Sequence, residues 1–410
     1  MRVLLSTIGS RGDVQPLVAL GLELQALGQE VRLCVPPDFQ EWIASLGLPV
    51  TPIGPELRKF TAAPQAAAST PPAPFTPEQR RKLAEASVAT QFQTIAAAAE
   101  GCRVIVGASA LQIAARSVAE KAGMSYVFAA YCPIVLPSRH HAPPPLPPIP
   151  GQPAAAISGD NRELWARDTA RFNDLFGSVL NAQRATIGLP PVDDVRTHIF
   201  GERPWLAVDP TLGPWPDPAD ESVFQPGAWI VRDERPLPGD VEAFLADGEP
   251  PIYFGFGSMR APQSLGSLMV QTARALGRRA IVSRGWADLS LAGGDTECLA
   301  IDEVNLQALF PRVAAVVHHG GAGTTSIAAL AGAPQVIVPQ LYDQHYWARR
   351  IEELGIGVAH APGTPAVDSL VAAVTRVLAP DLAIRAHVIA PKIRRDGARI
   401  AAERLMSMAG

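Results

Sequence analysis

The sequence has little cysteine, little lysine and no apolar run long enough to cross a bilayer, and each shortage narrows what the chain can be. Its four cysteines, Cys34, Cys102, Cys132 and Cys298, are far apart and lie in or near apolar runs, so they read as buried reduced thiols of a cytoplasmic protein. There is no CxxC pair and no HExxH, so zinc modules and zincin-type hydrolysis are not expected. Arginine far outnumbers lysine, yet the formal net charge is -4 and no basic stripe appears, which argues against a nucleic-acid partner. Without a membrane-length segment no stable membrane insertion is expected. Met1 is followed after one residue by a strand-like run rather than by a basic region and an apolar helix, so no signal peptide is expected. A DxD-like acidic cluster placed to hold a metal is missing as well. The first glycine turn, with Gly9 and Gly12, lacks the GxGxxG spacing, which weighs against a dinucleotide-dependent oxidoreductase.

What is present is apolar and periodic. Hydrophobic residues make up 48% of the chain, ample for two cores, and the length suits two domains of about 200 residues each. The N-terminal half opens with Val3-Leu4-Leu5, a turn from Gly9 to Asp13, helical spacing from Leu17 to Leu27 and a second strand, Val31 to Val35, which is a βαβ unit. Strands at Val104-Ile105-Val106 and Tyr126-Val127-Phe128 continue it. The C-terminal half repeats the alternation, with strands at Ile252 to Phe256, Ala280 to Val282, Ala314 to Val317 and Gln335 to Val338. The expected fold class is therefore α/β, with two Rossmann-like doubly wound parallel-sheet domains facing a central cleft. A stretch rich in Pro, Gly and Asp separates them. The domain boundaries follow as 1–208, a linker at 209–240, 241–390, and a C-terminal helix at 391–410. Two proline-rich segments, 61–77 and 137–154, cannot continue a helix or a central strand and read as binding loops on the first domain. His140 and His141, within the second, read as solvent-exposed.

The densest signal is the run HHGGAGTT, His318 to Thr325. It follows an apolar strand and leads into a helix, so the first helical N–H groups face whatever lies beyond the strand, and the helix dipole favours an anion there. Gly320, Gly321 and Gly323 allow close approach of the backbone to phosphate, and Thr324 and Thr325 add hydroxyls. The alternative is a glycine turn that only lets a helix pack tightly on a strand.

The quoted residues also resemble a known family. The segments MRVLLSTIGSRGDVQPLVAL, GAWIVRDERPL, YFGFGSM, EVNLQALFPRVAAVVHHGGAGTT and GAPQVIVPQLYDQHYWARRIEELGIGVA are similar to GT-B fold, family 1 glycosyltransferases, above all those that decorate vancomycin-group glycopeptide antibiotics. The resemblance implies a monomeric, inverting, metal-independent glycosyltransferase without a cofactor. It would move a sugar from a dTDP- or UDP-sugar to a hydroxyl of a large natural-product aglycone, a glycopeptide core in particular. It implies diphosphate contacts at Ser258, His319, Gly321, Gly323 and Thr324. Arg284, Trp286 and Val304 would line the nucleobase pocket, with the main chain of Val304 reading the pyrimidine edge. Asp343 and Gln344 would hydrogen-bond the sugar, and His345 either approaches it or serves its helix. Ser10 and Arg11 are placed at the donor, Ser10 alternatively at the acceptor and Arg11 alternatively in a structural contact. Asp13 is the candidate general base, its alternative being a helix cap. The resemblance also implies that the C-terminal helix at 391–410 crosses back onto the first domain. Other readings keep the reaction with a sterol, polyketide or glycolipid acceptor, or take the chain as a nucleotide-sugar epimerase or a non-catalytic partner protein.

Overall fold

The computed structural model describes residues 1–61, 75–145, 159–217, 219–257, 264–286, 296–363 and 365–409. The chain divides into two compact units, the first made of Met1–Leu57, Ser69–Val231 and Arg395–Gly410, the second of Arg58–Ala68 and Arg232–Arg394. Unit 1 is built on six parallel strands, β1 (Arg2–Thr7), β2 (Glu30–Val35), β3 (Val50–Pro52), β4 (Val104–Ala108), β5 (Ser125–Ala130) and β6 (Trp205–Leu206), in the order β3-β2-β1-β4-β5-β6. Unit 2 repeats the scheme with β7 (Ile252–Gly255), β8 (Ala280–Ser283), β9 (Cys298–Ile301), β10 (Ala315–His318), β11 (Gln335–Ile337) and β12 (Gly357–Ala359), ordered β12-β11-β10-β7-β8-β9. Each is a doubly wound α/β sheet, whose strand order reverses beside its first strand.

These strands form because their residues are apolar on both sides, as a sheet covered by helices on each face requires. In β7, Ile252 and Phe254 join Met269, Leu370 and Val374 on one face, while Tyr253 joins Leu309, Phe310 and Ala328 on the other. In unit 1, Val3, Leu4 and Leu5 of β1 are fully buried. Three of the cysteines are buried and Cys298 is half-buried, all as thiols.

The stretch expected as a linker divides between the units. Residues up to Val231 pack in unit 1, where Trp229 meets Trp205 at 6.3 Å and Phe224 meets Trp205 at 5.0 Å between ring centroids. In unit 2, Asn305 Nδ2 donates to the carbonyls of Asp233 at 3.0 Å and Arg235 at 2.8 Å, and Gly239–Ala246 is a helix. Most of the two proline-rich segments lies outside the described residues. Of the two histidines placed at the surface, His140 is exposed but His141 is not. Its ring lies edge-on between Trp165 at 6.2 Å and Trp215 at 5.9 Å, and its carbonyl accepts the Trp165 indole N–H at 2.9 Å. The aromatic residues that enclose it are distant in sequence.

The C-terminal helix, Gly397–Ala409, packs on the first helix, Arg11–Ala26, within unit 1, with Ala401, Ala402 and Leu405 buried and Arg399 3.8 Å from Glu23. That first helix carries Asp13, so the chain's end supports a candidate site residue. The start of the C-terminal helix also lies tight against the backbone of Gly227 and Ala228: at Gly397 a Cβ would lie 2.6 Å from the Ala228 carbonyl oxygen. Backbone cannot swing aside as a flexible side chain can. Gly397→Ala is expected to lower unfolding free energy by about 1–3 kcal/mol in urea titration; an unchanged midpoint would show that the helix shifts without cost.

Candidate functional site

In unit 2 the candidate residues gather on the carboxyl edge of four adjacent strands, β11, β10, β7 and β8, around the point where the strand order reverses. The glycine run follows β10. His318 ends that strand fully buried, and the two nitrogens of its ring are both used: Nδ1 accepts the Gly320 N–H at 3.1 Å, and Nε2 lies 2.9 Å from Gln335 Oε1 on β11. The first bond places the ring proton on Nε2, so His318 donates to Gln335, which in turn donates through Nε2 to the Thr325 carbonyl at 3.3 Å. Burial pulls the His318 pKa down to about 3, which keeps the ring neutral as this pattern requires. His318 is thus a brace of the turn rather than a ligand.

His319 is the outward member of the pair. Its ring packs over Gly257 and Gly321, where a Cβ would lie 3.2 Å from Cε1 and 2.7 Å from Nε2 respectively. Burial holds it neutral too, with a pKa near 4, against the opposing effect of a hydrogen bond with the Gly255 backbone. Gly321 is the N-cap of the helix Ala322–Leu330, and Thr325 N–H is the amide that donates to the Gly321 carbonyl, at 3.0 Å. The amides of Ala322, Gly323 and Thr324 precede the first intrahelical donor, and a glycine N-cap offers them no side-chain oxygen. Gly320 is held at φ +91, and a Cβ there would meet Ile337 Cγ2 at 2.5 Å. Around Gly323 there is open space. Thr325 is buried with its hydroxyl donating to the Gly321 carbonyl at 3.0 Å, so Thr324 is the half-exposed hydroxyl of the turn.

Neighbouring turns close around this one. Trp286 N–H donates to the Gly257 carbonyl at 3.0 Å, joining the ends of β7 and β8. Arg284 Nε stands 3.6 Å from Asp302 Oδ1 at the surface. The side chain of Val304 belongs to the unit 2 core, which leaves its main chain as the part able to read a ligand edge. Ser258 lies outside the described residues. After β11, Gln344 Oε1 accepts the N–H groups of Gln340 at 2.8 Å and Leu341 at 3.0 Å, so its carbonyl braces its own loop. Asp343 Oδ2 accepts the Trp347 indole N–H at 3.1 Å, and burial pushes its pKa up to about 6. His345 is half-buried in the first turn of the helix Gln344–Glu353. Tyr342, just before Asp343, has φ +50, a left-handed backbone uncommon for an aromatic residue. Among the described residues no group of three or more His, Cys, Asp and Glu could hold a metal ion.

Unit 1 has its own edge. The turn after β1 leads into Arg11–Ala26 with Ser10 as N-cap, and Asp13 Oδ2 reaches back to accept the Ser10 N–H at 2.8 Å. The capping geometry is therefore present at Asp13. Ser109, after β4, has φ 70 and donates its hydroxyl to the Ile8 carbonyl at 2.9 Å, which ties the neighbouring strand end to this turn. Arg11 stacks on Trp42, 4.6 Å from the ring centroid, and its Nε donates to Gln15 at 3.3 Å; the guanidinium is engaged in packing. Sequence reading missed Ser109 and Trp42, since neither stands in a motif.

Two doubly wound units, each with its candidate residues at the strand-order reversal, are the architecture of the two-domain GT-B fold. A model described as the glycosyltransferase family 28 N-terminal domain matches residues 3–136, and one described as the erythromycin biosynthesis protein CIII-like C-terminal domain matches 296–399. Glycosyltransferase GtfE of Amycolatopsis orientalis is 49% identical over 412 residues, covering 100% of this chain and 98% of that protein. The vancomycin aglycone glucosyltransferase of the same organism is 48% identical over 408 residues, covering 99% and 97%. Among solved structures, the glycosyltransferase VinC in complex with dTDP has a TM-score of 0.70 at 21% identity, covering 100% of this chain and 99% of that one. The chain belongs to the GT-B, family 1 glycosyltransferases and is an enzyme of that class.

Two glycine substitutions separate folding from binding in the turn. Gly323→Ala enters open space in a helix and should leave stability unchanged or raise it by about 0.5–1 kcal/mol. If an anion lies against that helix start, the same change should weaken binding of a nucleoside diphosphate by about tenfold in calorimetry. Gly320→Ala, by contrast, should lower the melting temperature. Unaltered nucleotide affinity in a well-folded Gly323→Ala protein would move the ligand away from this turn.

Proposed function

We propose that this enzyme transfers a sugar from a dTDP- or UDP-sugar to a hydroxyl of a large natural-product aglycone, a glycopeptide core, with inversion at the anomeric carbon and without a metal. The observation that carries the donor side is the helix start at Gly321 to Thr324, whose first amides have no intrahelical acceptor and no capping side chain and follow β10, with the neutral His319 beside them. The VinC structure, of the same fold, is described with dTDP, and the relative at 48% identity is named for the vancomycin aglycone.

In this reading unit 2 holds the donor. The amides and Thr324 take the diphosphate, the Val304 main chain with Arg284 and Trp286 takes the base, and Asp343 with Gln344 takes the sugar hydroxyls. As the C1–O bond to phosphate breaks, its electron pair leaves with the nucleoside diphosphate, and the growing charge meets N–H dipoles already in place. Those donors supply the stabilisation that a metal provides elsewhere. Unit 1 takes the acceptor, whose hydroxyl oxygen forms the new bond to C1 from the opposite face while its proton passes to Asp13. One carboxylate oxygen of Asp13 can keep the Ser10 N–H while the other receives the proton, so capping and base catalysis are compatible at this residue.

The test is transfer by the purified protein from dTDP- and UDP-sugars to a panel of glycopeptide cores, sterols and polyketides, with donor-only controls, read by mass and by anomeric NMR couplings. The expected product is an inverted glycoside of a glycopeptide core, formed equally with and without EDTA. Asp13→Asn should lower kcat by about 10²–10⁴-fold and leave nucleotide affinity intact. Products on sterols or polyketides alone would replace the acceptor class. Retention at C1, or loss on chelation restored by a divalent ion, would overturn the mechanism.

A further inference from the structure

One aromatic cluster of unit 1 holds two buried polar atoms that make no hydrogen bond among the described residues, Tyr131 Oη and Trp229 Nε1. The two rings meet edge to face, with centroids 6.3 Å apart and planes at 72°, and Trp229 is 3% exposed. Trp205 packs against Trp229 and Phe224 against Trp205, so this wall is fixed from behind. A hydroxyl or indole N–H withdrawn from water almost always finds a partner in a folded protein. Two such atoms on one wall call for a shared explanation.

Position supplies it. Tyr131 is the residue immediately past β5, and β1, β4 and β5 are neighbours in the sheet, with Thr7 opposite Ala108 and Ala108 opposite Ala129. Tyr131 therefore stands on the same carboxyl edge as Ser109 after β4 and the Ile8 to Asp13 turn after β1. Burial, and after it the charge of Asp13, pushes the Tyr131 pKa well above its ordinary value, so the phenol keeps its proton and can donate. An indole N–H is a donor only. The wall thus offers two donors and asks for oxygen lone pairs.

We infer that Tyr131 Oη and Trp229 Nε1 are the hydrogen-bond donors that hold an oxygen of the acceptor next to the hydroxyl deprotonated by Asp13. This rests on the assignment of the acceptor to unit 1 under the proposed function. The reacting oxygen itself is left to Asp13, since a donor bonded to it would reduce its nucleophilicity. The pair acts by binding and orientation, and its loss appears in the acceptor KM. An ordered water offers the same lone pairs, but a water serving only the fold would leave a different trace.

Tyr131→Phe and Trp229→Phe in the full chain decide the matter, with acceptor and donor KM, kcat, dTDP affinity and the ligand-free unfolding midpoint measured for each. Tyr131→Phe is expected to raise the acceptor KM roughly tenfold, leave donor KM and dTDP affinity unchanged, and hold or raise the midpoint. Trp229→Phe should shift the acceptor KM in the same direction. A lowered midpoint with an unchanged acceptor KM would assign the pair to a structural water and overturn the inference, as would no change in either quantity. Wild-type transfer matched by Tyr131→Phe sinks this inference and leaves the reaction standing. Wild-type protein that transfers to no acceptor sinks the underlying reading along with it.

Discussion

The candidate donor site depends on one buried, neutral imidazole. His318 joins the Gly320 amide to Gln335 on the next strand, and Gln335 passes the connection to the Thr325 carbonyl inside the helix that follows. Strand, turn and helix are thereby locked by three hydrogen bonds, of which the one from Gly320 requires a neutral ring with its proton on Nε2. A protonated ring would have no acceptor at Nδ1 for Gly320. Because burial holds the pKa near 3, the brace persists across ordinary conditions. Preorganisation of this kind is what lets backbone dipoles stabilise a developing charge without first rearranging.

The two units use one topology in opposite ways. Each places a turn and a helix start after a strand at the point of order reversal, yet the helix ends differ in charge. In unit 2 the N-cap is Gly321, which gives the first amides no capping side chain. In unit 1 the N-cap is Ser10, and Asp13 supplies a carboxylate from within the helix. A carboxylate there satisfies the helix start and repels a second anion. Under the proposed function, the same fold thus gives the diphosphate one edge and the group that gives up a proton the other.

Much of this was legible in the sequence because the governing signals are local. Short apolar runs separated by helical spacing gave both sheets, and HHGGAGTT gave the turn, since the glycines and the strand before it are contiguous. The distinct tasks of the two histidines were not legible. Adjacent residues of a strand point to opposite sides, but which side holds Gln335 is decided by the pairing of β10 with β11. Composition misled in two places. The stretch around Asp209 to Val231 is rich in proline and glycine, yet its Trp229 packs on Trp205 and Tyr131, its Trp215 packs on His141, and the stretch folds into unit 1. His141 stands in a proline-rich run, yet it is enclosed by Trp165 and Trp215, residues no sequence window would pair with it.

The central claim is that the diphosphate binds at the glycine turn of unit 2 and not at the capped turn of unit 1. Amide hydrogen exchange of the whole protein with and without dTDP or UDP tests it most directly, since both turns are read in one experiment. The account predicts slowed exchange across Gly320 to Thr325 on nucleotide addition, with Ser10 to Asp13 unaffected. Protection at Ser10 to Asp13, with none at Gly320 to Thr325, would contradict it.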